Sequence, residues 1–498
     1  MDRKRSILLV TVDCLRADHV GFMGYERPTT PFLDSLAGES FVFPAAIVAG
    51  APTYYSLPAI MASRYPLALG RDVLGLGPAE PTLASVLQQS GYATASFAAA
   101  NPYISSRFGY ERGFDTFRDF LEEEPAPLTN ETANAAAGWA GRFNRRLQNA
   151  LPKSGTLRSA YEQLYFEYCQ RVTPVPGSLD PLRRFPAADV IVDEACTWLK
   201  SQSQSSFFLW LHLMDPHSPY YPKAEALSLM GDKPLTPFQA RYLNSFWNRS
   251  DLQPKQLALR RGEIVSLYDA GIRWVDVQME KLCKALQALN RWDDCAFAFT
   301  ADHGEEFLDH GGRYHPPSRL MEELIRVPLL LRVPGLAKKQ LTSSPFSMLH
   351  LAPTLLDGVG LSAPREFRGR SHWHELAGDG QFDGVAISES VAGCTNPFRR
   401  ENRLGPRVLS VRESRFKLLL YFDPFATELY DLDADPHEHA ALGPSVHEQV
   451  RRRLLEIARE HLSQSAANRN LRARVEAQLR DLRLEWKKPA HNHAPVAS

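Results

Sequence analysis

The chain has 498 residues, more than one hydrophobic core usually supports, so we expect one large domain and a smaller one. Its composition, 44% hydrophobic and 23% charged, is that of an ordinary globular protein. Lysine plus arginine and aspartate plus glutamate both count 57, and the formal net charge is zero. Because the chain has no excess of positive charge, it lacks the overall basic character of many nucleic-acid-binding proteins. We therefore expect no nucleic-acid partner.

The six cysteines are scattered and form no CxxC pair, which is typical of reduced thiols rather than of a disulfide framework or a structural zinc site. The apolar run near the N-terminus is cut short by Asp13, and no small-residue cleavage site follows, so we interpret it as a buried strand rather than a signal peptide. No apolar run approaches the ~20 residues that span a bilayer. We therefore expect a cytoplasmic location without stable membrane insertion; homo-oligomerisation stays open.

Continuous apolar runs predict strands of a parallel sheet, because a strand that is covered on both faces does not alternate between apolar and polar residues. Between these runs lie helical stretches, the last of which has apolar residues near helical spacing. The alternation predicts an α/β fold with a large, mainly parallel sheet sandwiched by helices. The predicted strands are residues 7–12, 206–213, 296–300 and 327–333, and the predicted helices are residues 82–90, 187–200 and 263–289.

The second half of the chain predicts a change of architecture. Short β segments at 385–390, 407–412, 416–421 and 428–432 indicate a small C-terminal antiparallel sheet. An arginine-rich helical pattern follows, with its arginines on a solvated face, and a disordered segment begins at residue 487. We place a catalytic domain at 1–382, a β subdomain at 383–442 and a helical, partly disordered tail at 443–498.

Residues 121–186 form an insertion in the predicted catalytic domain. The segment is polar and alanine-rich, then mostly helical, and prolines close it. Two interpretations stay open: the insertion roofs the active site, or it is a solvated segment without a role.

Three of the predicted strands end in residues that could bind a metal ion or an ester. Asp13 follows the first strand, at the sheet edge where α/β proteins gather their ligands, although it could equally cap the next helix. Asp302 and His303 follow the third strand and suit Mg²⁺, Mn²⁺, Ca²⁺ or Zn²⁺. His217 follows the second strand and could contact a substrate oxygen or act as a general acid. His212, inside that strand, is interpreted as a core histidine.

A fourth motif, residues 50–66, places hydroxyl groups ahead of an apolar helix that we expect to begin near Pro58. A hydroxyl at a helix N-terminus benefits from the positive end of the helix dipole, which also stabilises a bound oxyanion. The alternative is that Thr53 or Ser56 only caps this helix, and composition alone favours that alternative.

Taken in order, these motifs resemble the sulfatase family of the alkaline phosphatase superfamily. The resemblance covers about residues 5–442 and rests on the runs D-x-L-R-A-D-H from Asp13, D-P-H-x-P-Y and T-x-D-H-G-E-E-F. It implies an alkaline-phosphatase-like fold, with a large mixed, mainly parallel sheet, and a metal-dependent hydrolase of sulfate or phosphate esters. One divalent ion (Ca²⁺, Mg²⁺, Mn²⁺ or Zn²⁺) would be held by Asp13, Asp302 and His303.

The same resemblance implies roles at the substrate. His217 and His315 would contact the ester and protonate the leaving oxygen, and His310 competes with His315 for this position. The substrate is expected to be a sulfate or phosphate ester of a small molecule, a glycan or a lipid. The residues that we predict to contact the substrate are Arg16, Ser56, Arg64 and His310.

The nucleophile motif is where the chain departs from the family. Active sulfatases that it resembles carry Cys or Ser in C/S-x-P-x-R, and this residue is oxidised to formylglycine. Here Thr53 occupies that position, and Tyr55 and Leu57 replace the Pro and Arg; an alignment through Ser56 requires a deletion. Because the Cβ of threonine bears a methyl group, it cannot form the same aldehyde hydrate, so we expect Thr53 to attack directly. A lone Asp followed by Cys14 implies a simplified metal shell.

Two rival hypotheses follow from these departures. Relatives with a threonine nucleophile move phosphoryl groups onto membrane acceptors, but no spanning helix is predicted here. Alternatively, the chain is a non-catalytic binding protein that keeps the fold while its nucleophile motif has decayed. A panel of ester substrates would separate these hypotheses from a hydrolase.

Overall fold

A computed structural model describes residues 5–121, 156–202, 205–232, 235–336, 341, 344–378, 384–464 and 469–486. The strands in these ranges, in chain order, are β1 Ser6–Val12, β2 Phe41–Val42, β3 Ala46–Ile47, β4 Ala93–Ala98, β5 Thr116–Arg118, β6 Phe207–Leu213, β7 Cys295–Ala301, β8 Glu306–Phe307, β9 Arg313–Tyr314, β10 Arg326–Val327, β11 Leu329–Arg332, β12 Phe346–Ser347, β13 Val385–Val391, β14 Arg407–Glu413, β15 Phe416–Phe422 and β16 Phe425–Asp431.

The α-helices of the described ranges lie mostly between the strands and cover the sheets. They are α1 Pro31–Ala37, α2 Thr53–Ala62, α3 Leu83–Gln89, α4 Thr156–Val172, α5 Ala188–Ser201, α6 Ala224–Leu229, α7 Pro237–Trp247, α8 Pro254–Leu257, α9 Arg261–Ala288, α10 Glu322–Ile325, α11 Leu351–Asp357, α12 Trp373–Ala377, α13 Arg400–Arg403, α14 Glu448–Ser463 and α15 Arg469–Trp486. None of the described helices combines the length and the apolar composition that a membrane crossing would need.

The main sheet has seven strands in the order β2-β11-β7-β1-β6-β4-β5. Strand β1 lies between β6 and β7 and is parallel to both, and each of its residues is buried. Strands β4 and β5 continue the parallel arrangement, whereas β11 and β2 close the other edge in antiparallel pairs. A mixed, mainly parallel sheet between helices confirms the predicted fold class.

The predicted helices are confirmed as α3, α5 and α9. Thr82 caps α3 through a reciprocal pair of hydrogen bonds with Ser85, which fixes where the helix begins. In α9 the buried residues include Ile264, Leu267 and Leu282, so the apolar spacing in the sequence marks the face that packs on the core.

Two predictions about secondary structure are wrong. The predicted parallel strand 327–333 is divided at Pro328, since proline has no N–H to donate to a ladder. Its first part, β10, pairs with β3, and its second part, β11, runs antiparallel to β7. The helix expected to begin near Pro58 begins at Thr53 instead and contains Pro58. All ten residues of this helix are buried, so tertiary packing outweighs the cost of an internal proline.

The C-terminal part forms the predicted antiparallel sheet, in the order β13-β14-β15-β16. Helices α14 and α15 pack on one face of it, where Leu454, Leu462 and Val475 join a second hydrophobic cluster. The prediction that the arginines of the tail are solvated is wrong for Arg451, which is buried and donates to Thr427 and to backbone carbonyls. The disordered segment predicted from residue 487 lies outside the described residues.

The described part of the 121–186 insertion contains α4, in agreement with the helical prediction. Its C-terminal end approaches the strand ends of the main sheet, because Arg183 donates to Asp215, two residues after β6. Leu182 and Arg184 line a cavity that also contains His217. The end of the insertion therefore borders the cavity of His217, which the sequence analysis predicts to contact the ester. Residues 122–155 lie outside the described ranges.

Candidate active site

The three predicted metal ligands converge at the carboxyl ends of β1 and β7. Asp13 Oδ1 lies 3.5 Å from His303 Nε2, and Asp302 Oδ2 lies 3.6 Å from the same nitrogen. All three side chains are fully buried. The pairing of the two parallel strands explains the convergence, because Val12 is in register with Ala301, so that Asp13 and Asp302 leave the sheet together.

These residues fit a divalent cation. Asp302 Oδ2 is buried and has no hydrogen-bond partner in the described part of the chain. His303 Nδ1 lies 2.8 Å from the carbonyl of Gly304, so the proton belongs on Nδ1 and the lone pair of Nε2 faces the two carboxylates. Burial lowers the pKa of His303 to about 4, which keeps the ring neutral at pH 7. Two carboxylate oxygens and a neutral imidazole nitrogen are ligands that Mg²⁺, Mn²⁺ and Zn²⁺ accept.

The two carboxylates influence one another strongly. Burial and then the charge of Asp13 raise the pKa of Asp302 to about 7. Burial acts in the same direction on Asp13, but His217, His212 and His303 outweigh it and hold the pKa of Asp13 well below its usual value. Adjacent buried carboxylates repel each other unless a cation lies between them, so the protein alone leaves this pair under-compensated.

The hydroxyl at this cluster belongs to Thr53. It is the first residue of α2, and its Oγ1 lies 3.4 Å from Asp13 Oδ2 and 3.3 Å from His303 Nε2. Ser56 is one helical turn further on and its Oγ donates to the carbonyl of Thr53. The structure therefore brings Thr53, and not Ser56, to the predicted ligands, and Thr53 rather than Ser56 lines the cavity described below.

His217 and His315 lie side by side beyond the three predicted metal ligands. Their ring centroids are 5.3 Å apart, and the ring of His315 is 4.8 Å from that of His303. His315 Nδ1 lies 3.4 Å from Oε2 of the fully buried Glu305. Burial lowers the pKa of His315, but the hydrogen bond and charge of Glu305 prevail and raise it, whereas burial lowers the pKa of His217. Of the two, His315 is the better proton donor.

A cavity of about 450 Å³ opens over these residues and gives a substrate access. Its walls include Thr53, His217, His315 and Asn101, together with aromatic side chains such as Tyr103. A second cavity of similar volume shares His217 with the first and has arginines on its rim.

Arg16 does not reach this cavity, although the sequence assigned it to the substrate. Its guanidinium donates to Asp18 and Asp309 and to the backbone carbonyl of Glu305. The substrate-binding prediction for Arg16 is therefore corrected: it joins the segment after β1 to the loop after β8. Its N–H groups donate to protein acceptors. Asp309 is 293 residues away in the sequence, so this pairing could not be predicted from the sequence.

Arg64 and His310 are likewise held away from the cavity. Arg64 forms an ion pair with Glu80 and donates to the carbonyl of Gly75. His310 Nδ1 lies 2.7 Å from Glu323 Oε1. Both side chains are held by protein groups outside the cavity, so their predicted contact with substrate is also corrected. Of His310 and His315, the structure places His315 beside the predicted metal ligands.

The sequence analysis missed Asn101 altogether and missed the contact of His212 with Asp13. Asn101 Nδ2 donates to Asp13 Oδ2 over 2.7 Å, and it follows β4, an alanine-rich strand that the hydrophobic pattern did not predict. His212 is buried as expected, with Nδ1 2.8 Å from Thr11 Oγ1, but its Nε2 also lies 3.4 Å from Asp13 Oδ2. A polar residue at the end of a neighbouring strand was the signal that could have pointed to Asn101.

Comparison with known protein sequences shows the family of the chain. The sequence model of the family described as Sulfatase matches residues 5–361, and that described as N-sulphoglucosamine sulphohydrolase, C-terminal, matches residues 313–464. The multifunctional alkaline phosphatase superfamily protein PehA of Trinickia caryophylli is 23% identical over 484 residues, which cover 88% of this chain and 91% of that protein.

Solved structures share the fold. The phosphonate monoester hydrolase of Agrobacterium radiobacter is similar with a TM-score of 0.62 at 19% identity, covering 93% of this chain and 96% of that one. A protein solved in complex with its substrate D-glucosamine-2-N,6-O-disulfate is similar with a TM-score of 0.64 at 16% identity, covering 93% and 98%.

The fold, the converging strand ends and these matches define an ester-bond hydrolase of the alkaline phosphatase superfamily. The Sulfatase match extends over well more than half of the chain. The chain belongs to the sulfatase family.

Proposed function

We propose that the chain hydrolyses phosphate or sulfate esters with the help of one or more divalent ions, and that the hydroxyl of Thr53 is the nucleophile. The observation that carries this proposal is the position of Thr53 Oγ1, within 3.4 Å of Asp13 Oδ2 and His303 Nε2. An alkyl hydroxyl becomes a nucleophile when a neighbouring base or metal ion lowers its pKa. The N-terminus of α2 adds a dipole that favours an oxyanion.

Asp13, Asp302 and His303 would hold the ion, which would polarise the ester oxygen and favour the ionised form of the attacking hydroxyl. Asn101 and His212 hold the Asp13 carboxylate in place from the side of the sheet. Burial of the whole set excludes bulk water, so each charge interaction here is stronger than it would be at the surface.

The bond changes follow from this placement. Thr53 Oγ1 gives its proton to solvent and forms a bond to phosphorus or sulfur while the bond to the leaving oxygen breaks. The leaving oxygen takes a proton from the imidazolium of His315, which is next to Glu305, with His217 as the alternative donor. Water then attacks the same phosphorus or sulfur atom and gives a proton to the now neutral His315, and Thr53 Oγ1 departs and takes a proton from solvent.

Phosphorus esters are our first candidate substrates because of how the threonine must be released. A formylglycine hydrate can shed sulfate by breaking its own C–O bond, whereas Thr53 is freed only by a second attack on phosphorus or sulfur. Attack of water on a phosphoryl group is a substitution of the same kind as the first step, and divalent ions assist it. Sulfate esters are the second candidate, and the match to the sulfatase family favours them.

The size and lining of the cavity suggest the rest of the substrate. At about 450 Å³ it falls in the usual range for small-molecule sites. Tyr54, Tyr103 and Tyr314 line it, and aromatic rings suit an aryl group or the face of a sugar. We therefore infer an aryl or glycan ester rather than a lipid. A cytoplasmic location and homo-oligomerisation remain predictions.

A substrate panel tests the proposed function. An aryl phosphate, an aryl phosphodiester, an aryl phosphonate and an aryl sulfate would be offered with Mg²⁺, Mn²⁺, Ca²⁺ or Zn²⁺ in turn. We expect Thr53→Ala to lower kcat by about 10³-fold or more, since the nucleophile is lost. Thr53→Ser should retain most of the activity, and Ser56→Ala, which alters a hydroxyl bonded inside α2, should do the same.

The possible outcomes separate the hypotheses. Loss of activity in Ser56→Ala with activity retained in Thr53→Ala would transfer the nucleophile to Ser56. A metal-loaded protein that hydrolyses none of the four esters would favour a non-catalytic binding protein instead.

A further inference from the structure

The second cavity, which opens beside the one that contains Thr53, has no role in the proposed reaction. Its volume is about 450 Å³, and it shares two lining residues, His217 and Tyr314, with the first cavity. In the proposed reaction His217 and His315 lie on the side of the leaving oxygen. The second cavity therefore continues from the leaving-group side of the ester, where the rest of a substrate would extend.

The two shared side chains form a boundary between the cavities. His217 Nδ1 lies 2.5 Å from the carbonyl of Ser218, so the ring donates this proton to the backbone and is held in place. Tyr314 has a φ of 69°, in the left-handed region, which is a strained conformation for a residue other than glycine. Its hydroxyl lies 3.4 Å from Asn248 Oδ1. Because the protein holds both rings, the second cavity keeps a defined position beside the ester.

The second cavity has positive charges and no negative ones. Arg184 and Arg241 line it, and among the described residues that line the two cavities there is no aspartate or glutamate. Both arginines lie near Tyr221, because burial raises the pKa of this tyrosine and the two guanidinium charges oppose the rise. Like charges that face one cavity repel each other unless an anion lies between them. The charge of the second cavity therefore favours an anionic ligand.

The two arginines differ in how firmly they are held. Arg241 is buried, and its Nε has no hydrogen-bond partner in the part of the chain that the structure describes. Its Nη atoms donate to backbone carbonyls at the end of α4, those of Gln170, Thr173 and Pro174, rather than to a carboxylate. Arg184 is exposed and forms no ion pair within the described ranges. Arg241 thus provides a fixed charge, and Arg184 is free to bind an anion with its N–H groups.

Neutral polar side chains complete the lining of the second cavity. Ser218, Ser245 and Asn248 are among them, and their hydroxyl and amide groups can donate to anion oxygens. Ser245 is part of α7, the helix that also contains Arg241, and Arg184 belongs to the end of the 121–186 insertion. The second cavity is therefore built by α7 and the insertion, apart from the strand ends that gather around Thr53.

We propose that the second cavity binds a second anionic group of the substrate, located on the leaving alcohol, with Arg184 and Arg241 as its cationic partners. The proposal deepens the proposed function, on which it rests for the position of the ester at Thr53. The substrate is then the ester of an alcohol that has its own carboxylate, sulfate or phosphate group, such as an acidic sugar or phenol. An ester of a neutral alcohol binds less tightly, because it leaves the two guanidinium groups without an anion.

Binding of aryl sulfonates tests this proposal without turnover, since their C–S bonds are not ester bonds. Benzene-1,3-disulfonate and biphenyl-4,4′-disulfonate offer two anionic groups at different spacings, and benzenesulfonate and biphenyl-4-sulfonate are the matched ligands with one. Calorimetry of the full chain with Mn²⁺ at low ionic strength would measure each Kd. We expect at least one disulfonate to bind about 10-fold more tightly than its monosulfonate. This preference should shrink as salt is added, because salt screens exposed charges.

Two variants locate the second anionic group. Arg184→Gln removes the exposed guanidinium and should reduce the preference for the disulfonate by about 5-fold, the upper end for an exposed ion pair. Ser245→Glu places a carboxylate in the second cavity and should abolish the preference by repulsion. Arg171→Gln and Ser250→Glu make the same changes at exposed positions that do not line the second cavity, and both should keep the preference.

Two results would overturn the proposal. The first is a wild-type chain that binds neither disulfonate more tightly than its monosulfonate. The second is a preference that survives both Arg184→Gln and Ser245→Glu, since the second anionic group would then lie outside the second cavity.

Ester substrates separate this proposal from the proposed function. Phenyl phosphate would be compared with 3-carboxyphenyl phosphate, and phenyl sulfate with 3-carboxyphenyl sulfate. Arg184→Gln should raise KM for the carboxylated ester more than it lowers kcat, because the contact is made before and during the reaction. Hydrolysis of these esters by a chain without any disulfonate preference would refute the second anionic group and leave the proposed function intact. A disulfonate preference that is lost in Arg184→Gln, in a chain that hydrolyses none of the esters, would refute the proposed function and leave the anion-binding cavity intact.

Discussion

Asn101 Nδ2 and Asp13 Oδ2 are 2.7 Å apart, and this hydrogen bond joins the end of β4 to the end of β1 across the intervening strand β6. Asp13 Oδ2 also lies 3.4 Å from Thr53 Oγ1 and from His212 Nε2. One carboxylate oxygen thus has an amide, a hydroxyl and an imidazole around it. The amide of Asn101 makes the shortest of these three contacts, so we infer that it contributes most to the orientation of the carboxylate.

We expect Asn101→Ala to weaken metal binding and lower kcat/KM by about 10–100-fold, the usual effect of removing a group that orients a metal ligand. Thermal stability should change little. In the absence of metal, Asn101→Asp should be less stable to heat than Asn101→Ala, because it adds a carboxylate beside Asp13. Metal titrations and steady-state kinetics of both variants measure these effects. Unchanged metal affinity in Asn101→Ala would show that Asp13 needs no such support.

The fold could be predicted where the signal is local. Strands β1, β6 and β7 are continuous apolar runs; Asp13 and Asp302 directly follow β1 and β7, and His217 comes four residues after β6. Strand β4 escaped because its sequence, ATASFA, contains mostly alanine, serine and threonine, which mark neither a buried strand nor an amphipathic one. Because β4 was not predicted, Asn101 could not be recognised as a residue at the end of a strand.

The sequence predicted the convergence of the acidic and histidine side chains at the candidate site but not the positions of its arginines. Asp13, Asp302 and His303 follow strands whose pairing brings them together. The partners of Arg16 and Arg64, by contrast, are decided by loop paths, and Asp309 is 293 residues from Arg16. An arginine close to a motif in the sequence can form an ion pair within the protein or bind an anionic substrate. The sequence pattern does not distinguish these two roles.

The C-terminal tail should contribute to stability through its packing on the antiparallel sheet. Leu454 of α14 is fully buried in the second hydrophobic cluster, so Leu454→Ala should lower the free energy of unfolding by about 2–5 kcal/mol. Its neighbour Arg453 has a side chain that is 59% exposed, and Arg453→Ala should stay within about 0.5 kcal/mol. Denaturant unfolding of both variants measures the difference. Equal stabilities would mean that α14 is not firmly packed in solution.

His310 should stabilise the fold in a pH-dependent way. Its hydrogen bond with Glu323, opposed by partial burial, raises the pKa of His310 to about 9. Because the folded value lies above the unfolded value of about 6.5, the stabilisation is complete below pH 6.5 and is lost as the pH rises through 9. His310→Gln should therefore destabilise the chain by about 1–3 kcal/mol at pH 6 and by much less at pH 9.5.

Denaturant unfolding of the wild type and His310→Gln at the two pH values would check this dependence. His437→Gln, which alters an exposed histidine nearby, serves as the control and should show no such trend. A destabilisation of His310→Gln that is equal at pH 6 and pH 9.5 would show that packing, not charge, makes the contribution.

Metal binding should reverse the order of stability between the wild type and Asp302→Asn. Without metal, the wild type buries two adjacent carboxylates, and Asp302 Oδ2 has no hydrogen-bond partner within the described ranges. Replacing Asp302 with the isosteric, neutral Asn relieves this repulsion, so in chelator at pH 8 the variant should unfold at the same or a higher temperature.

With metal in excess, the wild type should unfold at a higher temperature than Asp302→Asn. An ion that binds only the folded chain stabilises it by about 4 kcal/mol at a concentration of 1,000 times Kd, and Asp302→Asn loses most of this gain. Thermal unfolding with chelator and with Mn²⁺ or Zn²⁺ would show the crossing, with Asp357→Asn, a carboxylate on α11 outside the site, as the matched control. If no divalent ion changes the Tm of the wild type, the proposed metal site is refuted. The proximity of Asp13 and Asp302 would then have no explanation in metal binding.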